Sequence, residues 1–233
     1  MILLVKLILA HMAGDFLLQS NAWVKTKEDK KLKAYQLYTH VLLHGVLIML
    51  LVWDWGFLKW AAILAGSHLV IDAVKLLTQT EKQKPIFFFT DQALHLLAIC
   101  TIYYWYQGFV IPFDVIINER EWFLITLIVF ITFPTSIVIK MIIMNWSSQI
   151  DDIEKKSLKN AGKYIGILER LLVFTFVINS NWEAIGFLIT AKSVFRFGDL
   201  THEKDRKLTE YIMIGTLISF GIAILSGILY LKL

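Results

Sequence analysis

A single cysteine, Cys100, is all the sequence offers, so no disulfide can close within the chain and cysteine usage says nothing about redox compartment. Proline is scarce, three in 233 residues, and no stretch is rich in serine or glycine, which excludes a long flexible tail or linker. Catalytic signatures are missing too: there is no Gly-rich phosphate loop, no G-x-S-x-G, no CxxC pair and no H-E-x-x-H. Phosphate-loop chemistry, the serine nucleophile elbow and the zincin type of membrane protease are thereby set aside. The first twenty residues lack a basic leading region and a small-residue cleavage site, and they carry His11 and Asp15; they are expected to be a retained helix rather than a secretory signal.

What is abundant is apolar. Hydrophobic residues make up 57% of the chain and the mean hydropathy is +0.63, against roughly 45–50% apolar in soluble domains. Runs long enough to cross a bilayer recur from end to end. They predict an all-α, polytopic transmembrane bundle of about eight spans, at 1–19, 36–53, 59–77, 86–106, 121–145, 163–179, 183–197 and 207–231. The first four would form one bundle, 1–106, and the last four a second region, 107–233. The net charge of +4 does not point to nucleic acid, because Lys and Arg lie in the gaps between apolar runs. Gaps rich in them (Lys25, Lys27, Lys30, Lys31 and Lys33; Lys82 and Lys84; Lys155, Lys156 and Lys159; Lys204, Arg206 and Lys207) alternate with gaps holding only Lys59, only Arg120, or none. The positive-inside rule then puts the rich gaps in the cytoplasm and both termini outside.

Five of the six histidines fall within residues 11–95, in four pairs spaced i,i+4: His11 with Asp15, His40 with His44, His68 with Asp72, and Asp91 with His95. That spacing puts both members on one helix face, a turn apart. Each of the first four helices supplies one pair. Counted from the cytoplasmic ends, His11, His44, His68 and His95 lie about eight or nine residues deep, or roughly 12–14 Å. Asp15, His40, Asp72 and Asp91 lie one turn nearer the cytoplasm. Charges at such depth cost about 2.5–3.5 kcal/mol each and must face the bundle interior. Imidazole and carboxylate together suit zinc first, and also iron or manganese. Interior hydrogen-bonded glue between helices is the plainer explanation of any one such residue, but matched pairs at a common depth favour a metal site.

Other polar residues accompany the pairs. Gln19, Lys75 and Gln92 lie beside the cluster; Lys75, three residues after Asp72, is placed to pair with it, to bind an anionic substrate or merely to anchor the helix, and Gln92 to orient a ligand. The second half has Lys140, Glu169, Arg170, Lys192 and Arg196. Glu169 is expected to pair with one of these cations; Arg196 is expected to snorkel, while Arg170 and Lys192 are left open between a phosphate site and the headgroups. Gly162, Gly166 and Gly186 are candidates for close helix packing. The segment 146–161 reads as a surface helix or loop. Thr39-His40-Val-Leu-Leu-His44 and Thr90-Asp91-Gln-Ala-Leu-His95 are alike, as are the two His-x-x-x-Asp segments, so residues 1–53 and 59–106 look like two copies of one hairpin.

The stretches His11-Met-Ala-Gly-Asp15-Phe-Leu-Leu-Gln19, His40 with His44, His68-Leu-Val-Ile-Asp72 with Lys75, and Asp91-Gln92-Ala-Leu-His95 resemble a bacterial integral-membrane family known as domain of unknown function 3307. Gly166-Ile-Leu-Glu169-Arg170 and Ala191-Lys192-Ser-Val-Phe-Arg196 resemble its longer members. The resemblance implies a membrane location and singles out these polar residues; it implies no activity. A looser likeness to the ceramidase-like membrane hydrolases is analogy only, since the serine those enzymes place four before a histidine is missing and Ser67 directly precedes His68.

These features lead to the expectation of a zinc-type hydrolase reached from the cytoplasm. His11, His40, His44, His68 and His95 supply the metal ligands. Asp15, Asp72 or Asp91 serves as general base, and Lys75 stabilises negative charge or binds a headgroup. The substrate is expected to be a lipid or lipid-linked molecule, and the partners membrane lipids. A cation or proton-coupled transporter, a di-iron type redox site and a scaffold without catalysis are the rivals. The transporter is weakened by the apolar outer halves of the first four helices, and di-iron chemistry by the lack of a glutamate in the cluster.

Overall fold

The computed structural model describes residues 2–108, 120–147, 161–194 and 203–232. Among these the regular structure is entirely helical. We number the helices α1 (Ile2–Met12), α2 (Asn21–Lys30), α3 (Tyr35–Val52), α4 (Leu58–Thr78), α5 (Lys84–Gln107), α6 (Arg120–Ile131), α7 (Phe133–Ser147), α8 (Ala161–Ile178), α9 (Trp182–Val194) and α10 (Glu203–Leu231). Two compact units divide at Val129 and Phe130.

In the first unit α1, α3, α4 and α5 pack in a ring, α1 on α3, α3 on α4, α4 on α5 and α5 on α1. The main apolar core cluster fills one end. It uses Leu3 and Leu7 of α1, Ile48 of α3, Ala61 and Leu64 of α4, and Ile99 and Ile102 of α5. These are the first half of α1 and α4 and the last half of α3 and α5. The opposite end holds the polar pairs, so the up-and-down course of the chain gathers them. Residues pointing away from the ring are apolar: Leu42 is 68% exposed, Val70 61% and Leu97 63%. A bundle polar inside and apolar outside suits lipid, not water.

The elements begin and end for local reasons. α1 runs into a single π-turn, Ala13–Leu17, and the chain then bends by 82° into α2. Ser20 caps α2, its hydroxyl accepting from the Trp23 N–H at 3.3 Å. α2 is too polar to span anything (Asn21-Ala-Trp-Val-Lys-Thr-Lys-Glu-Asp-Lys30). Pro85 sits in the first turn of α5, where no amide partner is lost. Gly108 ends that helix at φ +76°, a conformation that suits glycine.

The second unit packs α10 against α8, with Val173, Val177, Ile185, Phe220 and Ala223 as its core. α6 and α7 are one apolar run broken at Thr132. Pro134 has no N–H for the Phe130 carbonyl, and the Thr135 hydroxyl donates to it instead at 2.7 Å. The next carbonyls, of Ile131 and Thr132, accept from the Arg170 guanidinium.

Among the described residues five stretches are long and apolar enough to cross a membrane: Tyr35–Val52, Trp55–Thr78, Glu81–Gln107, Arg120–Met144 and Thr209–Leu231. A sixth exists if the bent pair Ile2–Leu17 and Asn21–Lys33 counts as one. Among the described residues the count is thus five or six, and the expected number of eight is not confirmed. The expected span at 163–179 is an α8 carrying Lys163, Glu169 and Arg170, and that at 183–197 is described only as the 13 residues of α9. The glycines expected to allow close packing do not do so. A Cβ at Gly162 or Gly186 would meet nothing within 4 Å, and at Gly166 only Arg170. Close approach occurs at Gly227, where a Cβ would lie 2.6 Å from a Val177 methyl. Arg196 and most of segment 146–161, with Lys155, Lys156 and Lys159, lie outside the described residues.

Candidate metal centre

All five clustered histidines are buried, their Nε2 atoms turned toward a shared centre. Asp15 is its hub. The π-turn adds a residue to the end of α1 and swings this carboxylate inward. Its Oδ1 lies 2.9 Å from His44 Nε2, 3.2 Å from His40 Nε2 and 3.5 Å from His68 Nε2. Its Oδ2 accepts from Gln92 at 2.9 Å and lies 3.8 Å from His11 Nε2. Asp15 thus touches side chains from α1, α3, α4 and α5.

The rings pack face to face across helices. His44 and His68 stack with centroids 3.9 Å apart, and His68 and His95 at 4.0 Å. His11 is 5.1 Å from His95 and 5.8 Å from both His44 and His68. The four histidines assigned to one depth are therefore neighbours. A small cavity opens on the side of the apolar core, lined also by the residue one turn from each histidine: Leu7, Ile48, Leu64 and Ile99. His40 sits apart from that layer but meets His68, Nε2 to Nε2, at 3.1 Å.

Ligand atoms fall into three groups, each mutually within 4.8 Å and able to hold a metal ion: His11, Asp15, His44 and His68; His40, His68 and Asp72; and Asp15, Asp91 and His95. The donors, imidazole nitrogen and carboxylate oxygen, are those of zinc and related divalent ions. His40 Nδ1, His95 Nε2 and Asp91 Oδ1 are buried without a hydrogen-bond partner.

Two lysines accompany the carboxylates, and of the roles left open for Lys75, pairing with Asp72 is not the one seen. Lys75 reaches Asp91 at 2.9 Å rather than Asp72 on its own helix. Asp72 is taken by Lys27 of α2 at 2.8 Å. Lys27 was read as one of five topology-setting lysines, yet it is 6% exposed. Nothing local marks it, because Lys25, Lys30, Lys31 and Lys33 around it look the same. Its neighbour Glu28 accepts from Lys84 at 2.7 Å and from Gln79 at 3.2 Å, tying α2 to the ends of α4 and α5. Gln92 is where a ligand-orienting group belongs: it donates to Asp15 and, at 3.2 Å, to Asp91, and its carbonyl faces His11 Nε2 at 3.2 Å. Gln19 keeps a buried Nε2 without a hydrogen-bond partner.

Gly14 is a second residue whose role emerges only in three dimensions. A Cβ there would lie 2.4 Å from His44 Nε2 and Cε1, so only glycine lets the ring reach Asp15.

Glu169, Arg170 and Lys192 belong to the second unit. Glu169 pairs with Lys192 at 2.6 Å, as expected of a carboxylate needing a cation. Arg170, left open between phosphate and headgroup, is committed to neither. It is buried and donates to the carbonyls of the α6–α7 break and to the hydroxyls of Ser136 and Ser219. Lys140 is exposed.

Fold and site define a helical protein with bilayer-length apolar helices and an internal His/Asp cluster able to hold metal. The chain belongs to the family described as a protein of unknown function (DUF3307), whose model matches residues 3–124. The match takes in every one of the clustered ligands. No curated protein and no solved structure matches the chain.

Proposed function

We propose that this protein is a metal-dependent hydrolase of the bacterial cytoplasmic membrane, holding zinc among its first four spans and acting on a lipid or lipid-linked substrate. The observation that carries the reading is the group His11, Asp15, His44 and His68, from three different helices, with ligand atoms within 4.8 Å of one another in a buried site. Three imidazoles with an exchangeable fourth position are the usual ligand set of catalytic zinc. Zinc there supplies a Lewis acid and lowers the pKa of water toward about 7. This chain's own part is to take the proton of that water on a carboxylate, with Asp72 or Asp91 nearby and each already steadied by a lysine. Lys75, with its side chain 25% exposed, is the cation open to an anionic headgroup.

Hydrogen-bonded glue accounts less well for the cluster. A network built only for hydrogen bonding does not leave His95 Nε2 and Asp91 Oδ1 facing each other at 3.5 Å with no hydrogen bond on either atom. A transporter needs a polar route outward, whereas Leu3, Ala61 and Ile102 fill the bundle beyond the cavity. The test is hydrolysis of lipid esters and lipid phosphates in mixed micelles by the purified full chain. Turnover should stop with a chelator, return with zinc and be lost in His44→Ala. Zinc bound without turnover, together with ion flux in sealed vesicles, would replace the hydrolase by the transporter.

A further inference from the structure

The three ligand groups are not three versions of one site. The group of His11, Asp15, His44 and His68 and the group of His40, His68 and Asp72 compete, because both require His68 and its Nε2 has one lone pair to give. The group of Asp15, Asp91 and His95 shares no imidazole with either. It meets the first group only at Asp15, and a carboxylate can place one oxygen on each of two ions. Asp15 is oriented to do so. Its Oδ1 faces His44 and His68, and its Oδ2 turns away from them to accept from Gln92 at 2.9 Å.

An independent feature marks the same place. Two of the few buried polar atoms without a hydrogen bond are His95 Nε2 and Asp91 Oδ1, and they lie 3.5 Å apart in this third group. Their residues are 2% and 3% exposed. Their contact, like that of His95 Nε2 with Asp72 Oδ1 at 3.6 Å, is too long and unaligned for a hydrogen bond, and a cation between them gives both a close partner. The other oxygen of Asp91 is held by Lys75 at 2.9 Å, which fixes the carboxylate with Oδ1 turned to His95.

We infer that the centre takes two divalent cations, the second held by Asp15, Asp91 and His95 beside the one held by His11, His44 and His68, with Asp15 bridging them. The inference rests on the metal reading above and deepens it: with Asp91 a ligand of the second ion, Asp72 is the carboxylate left to act as base. Paired ions of this kind can hold both the attacking and the leaving oxygen of a displacement, which a single ion cannot.

Zinc titrated into the full chain, purified in detergent without a His tag and stripped with a chelator, tests it by equilibrium dialysis and elemental analysis. Two equivalents per chain are expected, falling to one in Asp91→Asn and in His95→Ala. The manganese-loaded parent should give an exchange-coupled magnetic resonance signal, a readout independent of any variant's folding. One equivalent in the parent with an uncoupled manganese signal overturns the second site and leaves the single-ion reading standing. No bound zinc overturns both. Two equivalents retained in both variants would overturn the assignment to Asp91 and His95.

Discussion

Asp15 joins the cluster because the residue before it has no side chain. Gly14→Ala forces a methyl to within 2.4 Å of the His44 ring, so the ring must leave Asp15. We predict a loss of zinc affinity of about 10- to 100-fold, the scale on which misplaced ligand-supporting groups are felt. Gly66→Ala, where a Cβ meets nothing within 4 Å, should leave affinity unchanged. Zinc titration of the two variants checks this. The Lys27–Asp72 pair makes a second prediction. Lys27→Met strands a buried carboxylate and should cost about 3–5 kcal/mol, read as a lowered midpoint of unfolding. Adding Asp72→Asn should recover much of the loss. The clustering histidines and aspartates were legible in the sequence, because ionisable residues spaced i,i+4 stand out in apolar runs. Lys27 and the Lys75–Asp91 pair were not, since they depend on which helix ends meet, and spacing along one helix reports only its own face.

Three helices, α3, α4 and α5, fall within about two residues of their sequence-derived bounds, since a long apolar run between charged gaps leaves little choice. The breaks were harder to read. The π-turn after Met12, which carries Asp15 into the cluster, has no local signal in the sequence. The break between α6 and α7 had one, Pro134, but its repair by Arg170 comes from a distant helix. Close packing of α8 on α10 rests on Gly227 against Val177. Gly227→Ala should overpack that contact and destabilise by about 1–3 kcal/mol, with Val177→Ala restoring it; thermal unfolding of the single and double variants decides. The polar α2 makes a prediction about topology. Its lysines should keep residue 30 in the cytoplasm, so Lys30→Cys in a Cys100→Ser background should resist membrane-impermeant thiol reagents in intact cells. Labelling from outside would reverse the orientation.

At the scale of the molecule, the chain puts apolar surface toward its surroundings and titratable groups within, the reverse of a soluble protein. In lipid those groups need partners, and a divalent ion is the one partner that could serve several imidazoles and carboxylates together. A bound ion also stabilises the bundle by mass action, by about 2.7 kcal/mol when free zinc is one hundred times its Kd. The central claim is that the cluster binds metal. Its most direct test is the melting temperature of the tag-free chain in detergent with and without a strong chelator, alongside elemental analysis. The account predicts stoichiometric metal, a melting temperature that falls on chelation and recovers with zinc, and no chelator effect in the His44→Ala, His95→Ala double variant. A metal-free parent whose melting temperature ignores both chelator and zinc would contradict it.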